Sequence, residues 1–549
     1  MRELEGNTVC HGAGLGTALI LEAHKPSMKE PKGDPEQCYA RARARAESEL
    51  RALCHGSREP SRILEAHIAM LLDPEVDSQI KTAMDSCGPK AAVALVYENY
   101  ERTLASSQNP LTRERSIDVR DVKMRLLRCL DNSADDNAVH AEGPVVLCAY
   151  DLLPSQTACL DARLTAAIVT TLGGLTSHCA IIARSLGIPC LAGIDISQLS
   201  KGMRLGVDAD KGRLYIDPDE DTCKALLQRR KDLARQALEL EMNLDKKAET
   251  IDGHSVLIEI NLSSADQKAN PYCDGVGLLR SEFLFMKSVS IPSAGIQAAA
   301  YAKVIGDYAP RPVTVRTIDA GADKKVDCIQ MPAEPNPFLG QRAIRLCLAR
   351  PQIFEPQVEA LLLASSSGHL RILLPMIGSL EDFRAAKALI KSVESRLGGS
   401  YEYELGVMIE VPSAAIMASE LAEEADFASI GTNDLIQYTH AADRQNASVF
   451  SYYQSFSPAV FRLISHAASA FKARGKSISV CGEMAGDPDA ARILVGLGID
   501  VLSMSESQVA GVKAALRSSS YEELKALGQG VLESGDQASI MRLLEEHPL

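Results

Sequence analysis

The sequence predicts an α/β multidomain chain. A (β/α)8 barrel occupies residues 251–549, and a smaller α/β domain interrupted by a helical bundle precedes it. Three observations predict this. Eight apolar strand patterns alternate with helical patterns from residue 255 onward, the rhythm of parallel strands with crossover helices closing into a TIM barrel. From about 35 to 130 apolar positions recur at three and four residues with no strand between, as in packed helices. Strand patterns flank that helical stretch on both sides, which makes it an insertion.

In order along the chain, "TVCHGAGLGTALILE" (8–22) reads as a strand segment broken by glycines. Charged helical stretches such as "CYARARARAESELRALCHG" and "SRILEAHIAMLLDPEVDSQIKTAM" follow. "GPVVLCAYDLLPSQTACL" returns to strand then helix, and "AAIVTTLGG", "IPCLAG" and "RLGVDADKGRLYID" add strands. The expected α/β domain is therefore 1–22 plus 135–217, with the bundle at 23–134. Residues 218–250 lack glycine and alternate charge sign at helical spacing, which predicts a solvated linker helix. The barrel strands are "SVLIEI" (255), "DGVGLL" (274), "PVTVRTI" (312), "LRILLPMI" (370), "LGVMIEV" (405), "DFASIG" (426), "SISVCG" (477) and "IDVLSM" (499).

Composition narrows the function. The net charge is −14 over 549 residues, which offers no basic field to nucleic acid. No apolar run is long enough for a bilayer, and "MRELEGNTVC" has no signal-peptide pattern, so the expected location is cytoplasmic. Fourteen cysteines lie scattered without metal-ligand spacing, as reduced thiols would. "ARGKS" has Ala470 where a phosphate-binding P-loop needs its first glycine.

Active sites of such barrels lie at the C-terminal ends of the strands, and there the chemistry collects. Strand two ends in "GLLRSEF" with Arg280 and Glu282. Strand three ends in "VRTIDAGADKK" with Arg316, Asp319, Asp323 and Lys324, and "EPNPFLGQRAIR" adds Arg342. Strand five ends in Glu410, strand six runs into Asn433 and Asp434 with Arg444 beyond, and strand seven ends in Cys481 and Glu483. Converging guanidinium forks suit a small polyanion with carboxylate and phosphate oxygens. Glu410 and Asp434 are oxygen ligands suited to Mg²⁺, which takes one or two carboxylates plus substrate oxygens. Each residue alone reads as an ion pair or a cap; their joint place on one face points to a site.

"TTLGGLTSHCAIIARSLGIPCLAG" (170–193) sets a histidine where a glycine turn becomes a helix. Thr176 or Ser177 can cap a helix that starts near His178 and stops at Gly187, before Ile188 and Pro189. In a first turn the helix dipole disfavours imidazolium and keeps the ring a neutral nucleophile. The same free N–H groups would stabilise an attached phosphoryl group, and Gly173 and Gly174 admit its close approach. In isolation the stretch reads more readily as structural capping.

In company it resembles the phosphohistidine signature of the phosphoenolpyruvate-utilising enzymes, and "DFASIGTNDLIQYTHAADR" resembles their second signature. "GVGLLRSEFLFM", "VRTIDAGADK", "EPNPFLGQRAIR" and "GVMIEVPSA" follow the family's order, and the Enzyme I subfamily of the bacterial sugar phosphotransferase system is most similar. The resemblance covers nearly the whole chain. It implies a swivelling phosphohistidine domain and a bundle ("ILEAHIAMLLDPE", "ERSIDVRDVKMRLLR") that docks the carrier protein HPr. It further implies that phosphoenolpyruvate and Mg²⁺ bind at the barrel mouth and that His178 takes the phosphoryl group. Arg280, Arg316 and Arg342 would hold phosphate and carboxylate, Asn433 would contact phosphate, and Arg444 would complete the cradle. Glu410 and Asp434 would ligate the metal, Cys481 would protonate the enolate carbon, and Lys324 would also bind substrate. Thr157 falls where a hydroxyl orients the histidine. A homodimer through the barrel is implied too.

Differences from the pattern are Leu175 in place of arginine, Cys179 after the histidine, Ala322 in place of glycine, and "CHGAGLG" in place of a Ser-Pro-Gly opening. Three other readings stand beside this one: an unrelated Mg²⁺-dependent barrel lyase, which leaves the N-terminal half unexplained, a phosphoenolpyruvate-binding sensor without turnover, and a dikinase-like or synthase-like enzyme. The last needs a nucleotide-grasp domain, for which the chain offers no candidate.

Overall fold

The chain divides into two units, Met1–Ala237 and Leu238–Leu549, in the computed structural model. All residues are described except 22–29, 57–60, 107–109, 133–142, 158–163, 173–178, 181–182, 184–185, 287, 289, 322–325, 327, 332–333, 445, 447 and 549.

In the first unit one mixed sheet is built from β1 (Arg2–Glu5), β2 (Asn7–Cys10), β3 (Ala13–Leu21), β4 (Val145–Ala149), β5 (Thr165–Thr170), β6 (Cys190–Ala192), β7 (Arg204–Asp208) and β8 (Arg213–Ile216). Its order is β1-β8-β7-β3-β4-β5-β6-β2. The central strands β3 to β6 run parallel. Every residue of β4 and β5 is buried, which explains their uninterrupted apolar lettering, since parallel strands are covered on both faces. The glycines of "GAGLG" have a packing cause. A Cβ on Gly14 would lie 2.2 Å from the Ala166 carbonyl oxygen, and one on Gly16 2.5 Å from that of Pro144. The sequence reading missed β1, "RELE". It is a charged, mostly exposed edge strand paired only with β8, and edge strands carry charge where central ones carry apolar side chains.

Between β3 and β4 the described residues form five helices: α1 (Pro35–Gly56), α2 (Ser61–Leu71), α3 (Pro74–Cys87), α4 (Pro89–Ala105) and α5 (Pro110–Leu130). Leu50, Leu64, Ile80, Val93 and Leu126 meet in their core. The bundle is tied to the sheet domain through α6 (Pro154–Thr157), where Asp121 of α5 accepts from both the Ser155 amide and hydroxyl at 2.8 Å. The linker pattern folds as α7 (Glu220–Glu241) and stops well before residue 250. Tight turn bonds from Asn243 to Leu240 and from Leu244 to Glu241 end it. A short strand missed in the sequence, β9 (Ala248–Glu249), then pairs antiparallel with the first barrel strand.

All eight expected barrel strands form: β10 (Ser255–Leu262), β11 (Gly275–Arg280), β12 (Val313–Arg316), β13 (Leu370–Leu374), β14 (Glu404–Ile409), β15 (Phe427–Ile430), β16 (Ser477–Val480) and β17 (Val501–Met504). They run parallel and the pairing of β10 with β11 closes the ring. The barrel core is continuous with the helices around it, and a separate apolar cluster joins Leu278, Leu373, Met408 and Phe427 to Cys481.

The strands also bury an acidic side chain. Glu259 of β10 is 2 % exposed and accepts from Arg371 Nη1 at 3.3 Å. Burial pushes its carboxyl up to about 7, against the opposing pull of Arg371. A folded-state pKa above the unfolded value means that the native state binds the proton more tightly, so this group's contribution falls as pH rises from about 4.5 through 7. Glu259→Gln is expected to stabilise the barrel by about 1 kcal/mol at pH 8 and to change little at pH 4, because one pKa unit is worth ~1.4 kcal/mol and the lost pairing with Arg371 offsets part of the gain. Urea unfolding at the two pH values measures this.

Candidate active site

At the C-terminal ends of the barrel strands, six charged side chains form a chain of alternating sign. Arg316, the last residue of β12, donates from Nη2 to Glu282 Oε1 at 2.9 Å and pairs through Nη1 with Asp319 Oδ2 at 3.1 Å. Glu282 also accepts the Asp319 amide at 2.9 Å. Arg342 is completely buried and forks onto Asp319, with Nη2 at 2.9 and 3.1 Å from the two carboxylate oxygens. Its Nη1 reaches Asp434 Oδ1 at 3.2 Å and the Tyr438 hydroxyl at 3.1 Å. Arg444 Nη1 lies 3.9 Å from the other Asp434 oxygen. Burial alone would drive charge off Arg316 and Arg342, but the facing carboxylates overcome it and hold both well above the ordinary arginine range.

Glu410 follows β14 directly and is 1 % exposed. Its Oε1 accepts the Met376 amide at 2.6 Å. Met376 holds φ +57°, and Ala343, next to Arg342, holds φ +51°. Such backbone conformations are costly for residues with a Cβ and gather where a site over-determines them. Burial raises the Glu410 carboxyl above the usual range, and the nearby Asp434 and Asp319 raise it further.

Cys481 follows β16, is 4 % exposed, and its Sγ faces the Ile430 carbonyl at 3.6 Å. Burial pushes the thiol up to about 11, against the lowering effect of Arg316. The protonated thiol is therefore the species present near neutrality. Asn433 sits in the first turn of the Thr432–His440 helix. It is fixed by a reciprocal pair with Glu483, its Nδ2 donating to Glu483 Oε1 at 3.1 Å and its Oδ1 accepting the Glu483 amide at 3.0 Å. Arg280, the exposed last residue of β11, joins Asn433 and Cys481 in lining one cavity of about 420 Å³.

The barrel thus brings together seven of the residues singled out in its sequence: Arg280, Arg316, Arg342, Glu410, Asn433, Asp434 and Cys481, with Arg444 beside Asp434. Lys324 and His178 lie outside the described residues. Thr157 is the last residue of α6. Around His178, residues 179–180, 183 and 186 are helical and Gly187 turns at φ +64°, where the sequence places the helix end. Sequence reasoning assigned no role to Glu282 and Asp319, which hold the arginines. It missed Tyr438, which stands one helical turn beyond Asp434, and Asn261, whose Nδ2 donates to the Cys481 carbonyl at 3.0 Å. The four-residue spacing from Asp434 was the available signal for Tyr438.

Buried donors without partners among the described residues point to a bound anion: Arg316 Nε and Thr432 Oγ1 are both orphaned. The carboxylates meet a separate test. A buried Glu410 whose ionisation is opposed by two more carboxylates is relieved by a divalent cation. Among the described residues no group of three or more ligating side chains forms, so a metal here would draw its remaining ligands from substrate and water, as Mg²⁺ does.

Comparison with known proteins gives three matching family models: "PEP-utilising enzyme, PEP-binding domain" over residues 238–521, "PEP-utilising enzyme, mobile domain" over 141–212, and "PEP-utilising enzyme, N-terminal" over 5–115. Among similar proteins is the phosphoenolpyruvate-protein phosphotransferase of Staphylococcus carnosus (strain TM300), 37% identical over 89% of this chain and 87% of that protein. The proteins of the same name from Priestia megaterium and Bacillus subtilis (strain 168) are 36% and 35% identical, covering 95% and 100% of both chains.

Proposed function

This chain belongs to the family of phosphoenolpyruvate-utilising enzymes, and from that premise we propose that it moves the phosphoryl group of phosphoenolpyruvate to its own His178. From there the group passes to a histidine of the carrier protein HPr, in the first step of phosphotransferase-system sugar uptake. The observation that carries this reading is the alternating charge chain at the barrel mouth, beside a buried thiol that stays protonated.

Arg280, Arg316, Arg342 and Arg444 bind and orient the phosphate and carboxylate of the substrate, with Asn433 on the phosphate and Lys324 assisting. Because Arg342 is already forked onto Asp319 and Asp434, it also holds those carboxylates in place. Glu410 and Asp434 would hold Mg²⁺, which when bound neutralises phosphate-oxygen charge. Phosphoryl transfer needs positioning and charge neutralisation above all. A neutral His178 imidazole, oriented by Thr157, attacks phosphorus; the N–P bond forms as the enol C–O–P bond breaks at the P–O side. The released electron pair becomes the enolate, whose terminal carbon takes the proton of Cys481 Sγ to give pyruvate. The thiolate is reprotonated from water.

Within this scheme residues 1–22 plus 135–217 carry the phosphohistidine, 23–134 dock HPr, 218–250 link the parts, and 251–549 bind the substrate. The protein is proposed to be cytoplasmic and to dimerise through the barrel. No helix among the described residues is long and apolar enough to cross a membrane.

Cys481→Ser is expected to slow pyruvate formation by about 10²- to 10⁴-fold, the usual worth of a positioned general acid. Substrate affinity should be kept, as rapid-quench kinetics with Mg²⁺ would reveal. The function itself is tested by pyruvate release. Without HPr the enzyme should release a single burst equal to the enzyme concentration, and with HPr it should turn over continuously. Continuous release without a carrier, or none with it, contradicts the proposal.

A further inference from the structure

We propose that the Met1–Ala237 unit carries a second binding site, for a small anion with an apolar body, at the end of its sheet opposite the strand that leads to His178. A cavity of about 660 Å³ opens there, within the range of small-molecule sites, roughly 300–1,000 Å³. Its walls are β3, the start of β4, the 201–204 turn and the exposed face of α7. The strand register fixes its place. The cavity touches Val145, which pairs with Thr165 at the beginning of β5, whereas His178 follows the far end of β5 at Thr170. The cavity thus lies at the opposite end of β5 from Thr170.

Two independent features define the ligand. The first is charge. Lys201, Arg204 and Arg230 line the cavity, and among the described residues no acidic one does, in a chain whose net charge is −14. Cations nearby are neutralised: Arg229 pairs with Asp210 at 2.6 Å and Arg213 with Glu3 at 3.1 Å. Lys201, Arg204 and Arg230 make no ion pair among the described residues. Three unneutralised cations on one rim suit a carboxylate, sulfonate or phosphate monoester. The second is shape. The apolar side is formed by Leu15, Val145 and Leu227, the last 42 % exposed on α7. The space beside Gly143 and Gly202 is open, since a Cβ on either would meet nothing within 4 Å. A ligand seated there touches both α7 and the sheet and would tie the linker helix to it.

The probe for the test is 1-anilinonaphthalene-8-sulfonate, an aromatic body with one anionic group, titrated into the full chain by fluorescence. One saturable site per chain is expected. Its affinity should fall at least roughly tenfold in Arg204→Glu/Arg230→Glu and stay unchanged in the control Lys268→Glu, with circular dichroism confirming that all variants are folded. N-phenyl-1-naphthylamine, which lacks the sulfonate, should bind at least roughly tenfold more weakly. Methyl resonances of Leu15 and Val145 should shift on binding. An affinity indifferent to the double charge reversal, equal binding of the uncharged probe, or methyl shifts confined to other regions would overturn the proposal.

Discussion

His178→Ala should remove phosphoryl uptake altogether while leaving substrate binding at the barrel untouched. The nucleophile is the one group whose loss has no substitute, because water can attack the phosphate but cannot retain it on the protein. Residual labelling after incubation with phosphoenolpyruvate and Mg²⁺ should lie below about 10⁻⁴ of wild type, the scale on which deletion of a nucleophile acts. Every other proposed contact to the substrate comes from within residues 251–549. Unfolding of the barrel should therefore still be opposed by saturating substrate, by about 2.7 kcal/mol at one hundred times Kd. Retained labelling in this variant would move the acceptor elsewhere in the chain. Lost labelling together with lost ligand stabilisation would mean that the substitution damaged the fold instead.

The second large effect is on the charge chain. Asp319 is fully buried and is shared by Arg316 and Arg342. Asp319→Ala leaves two buried guanidinium groups facing each other with one neutralising carboxylate removed. Breaking a buried pair in this way costs about 3–5 kcal/mol. Asp319→Asn should cost less in stability, since its carbonyl oxygen still accepts one donor, yet it should still weaken substrate affinity. The arginines would then be held by a dipole in place of a charge. Urea unfolding of the two variants, with substrate titrations on each, checks both parts. A surface-like loss below about 1 kcal/mol in Asp319→Ala would mean that water replaces the carboxylate and that the chain is not a closed network.

What was legible in the sequence follows from what each element buries. Parallel barrel strands are covered on both faces, so "LRILL" and "LGVMI" announce themselves, and the rule that chemistry sits at their ends then collects Arg280, Arg316, Glu410 and Cys481. The strand "RELE" buries little, and "AE" is only two residues long, so both read as loop. Partnerships were the harder part. Asp319 and Arg342 lie 23 positions apart, and Arg342 and Asp434 lie 92 apart. Nothing in their lettering shows that Arg342 is fully buried between two carboxylates. The periodicity that predicts a helix over 218–250 also does not register the turn at Asn243, where backbone bonds end α7 at Glu241.

On this proposal a histidine of the chain receives the phosphoryl group of an enol phosphate. Intact-mass analysis after brief incubation with phosphoenolpyruvate and Mg²⁺, followed by peptide mapping at alkaline pH, tests it most directly. The account predicts a single added phosphoryl group, stable to base, labile to acid, and located on His178. An unchanged mass, or a phosphoryl group that survives acid on another residue, would contradict it.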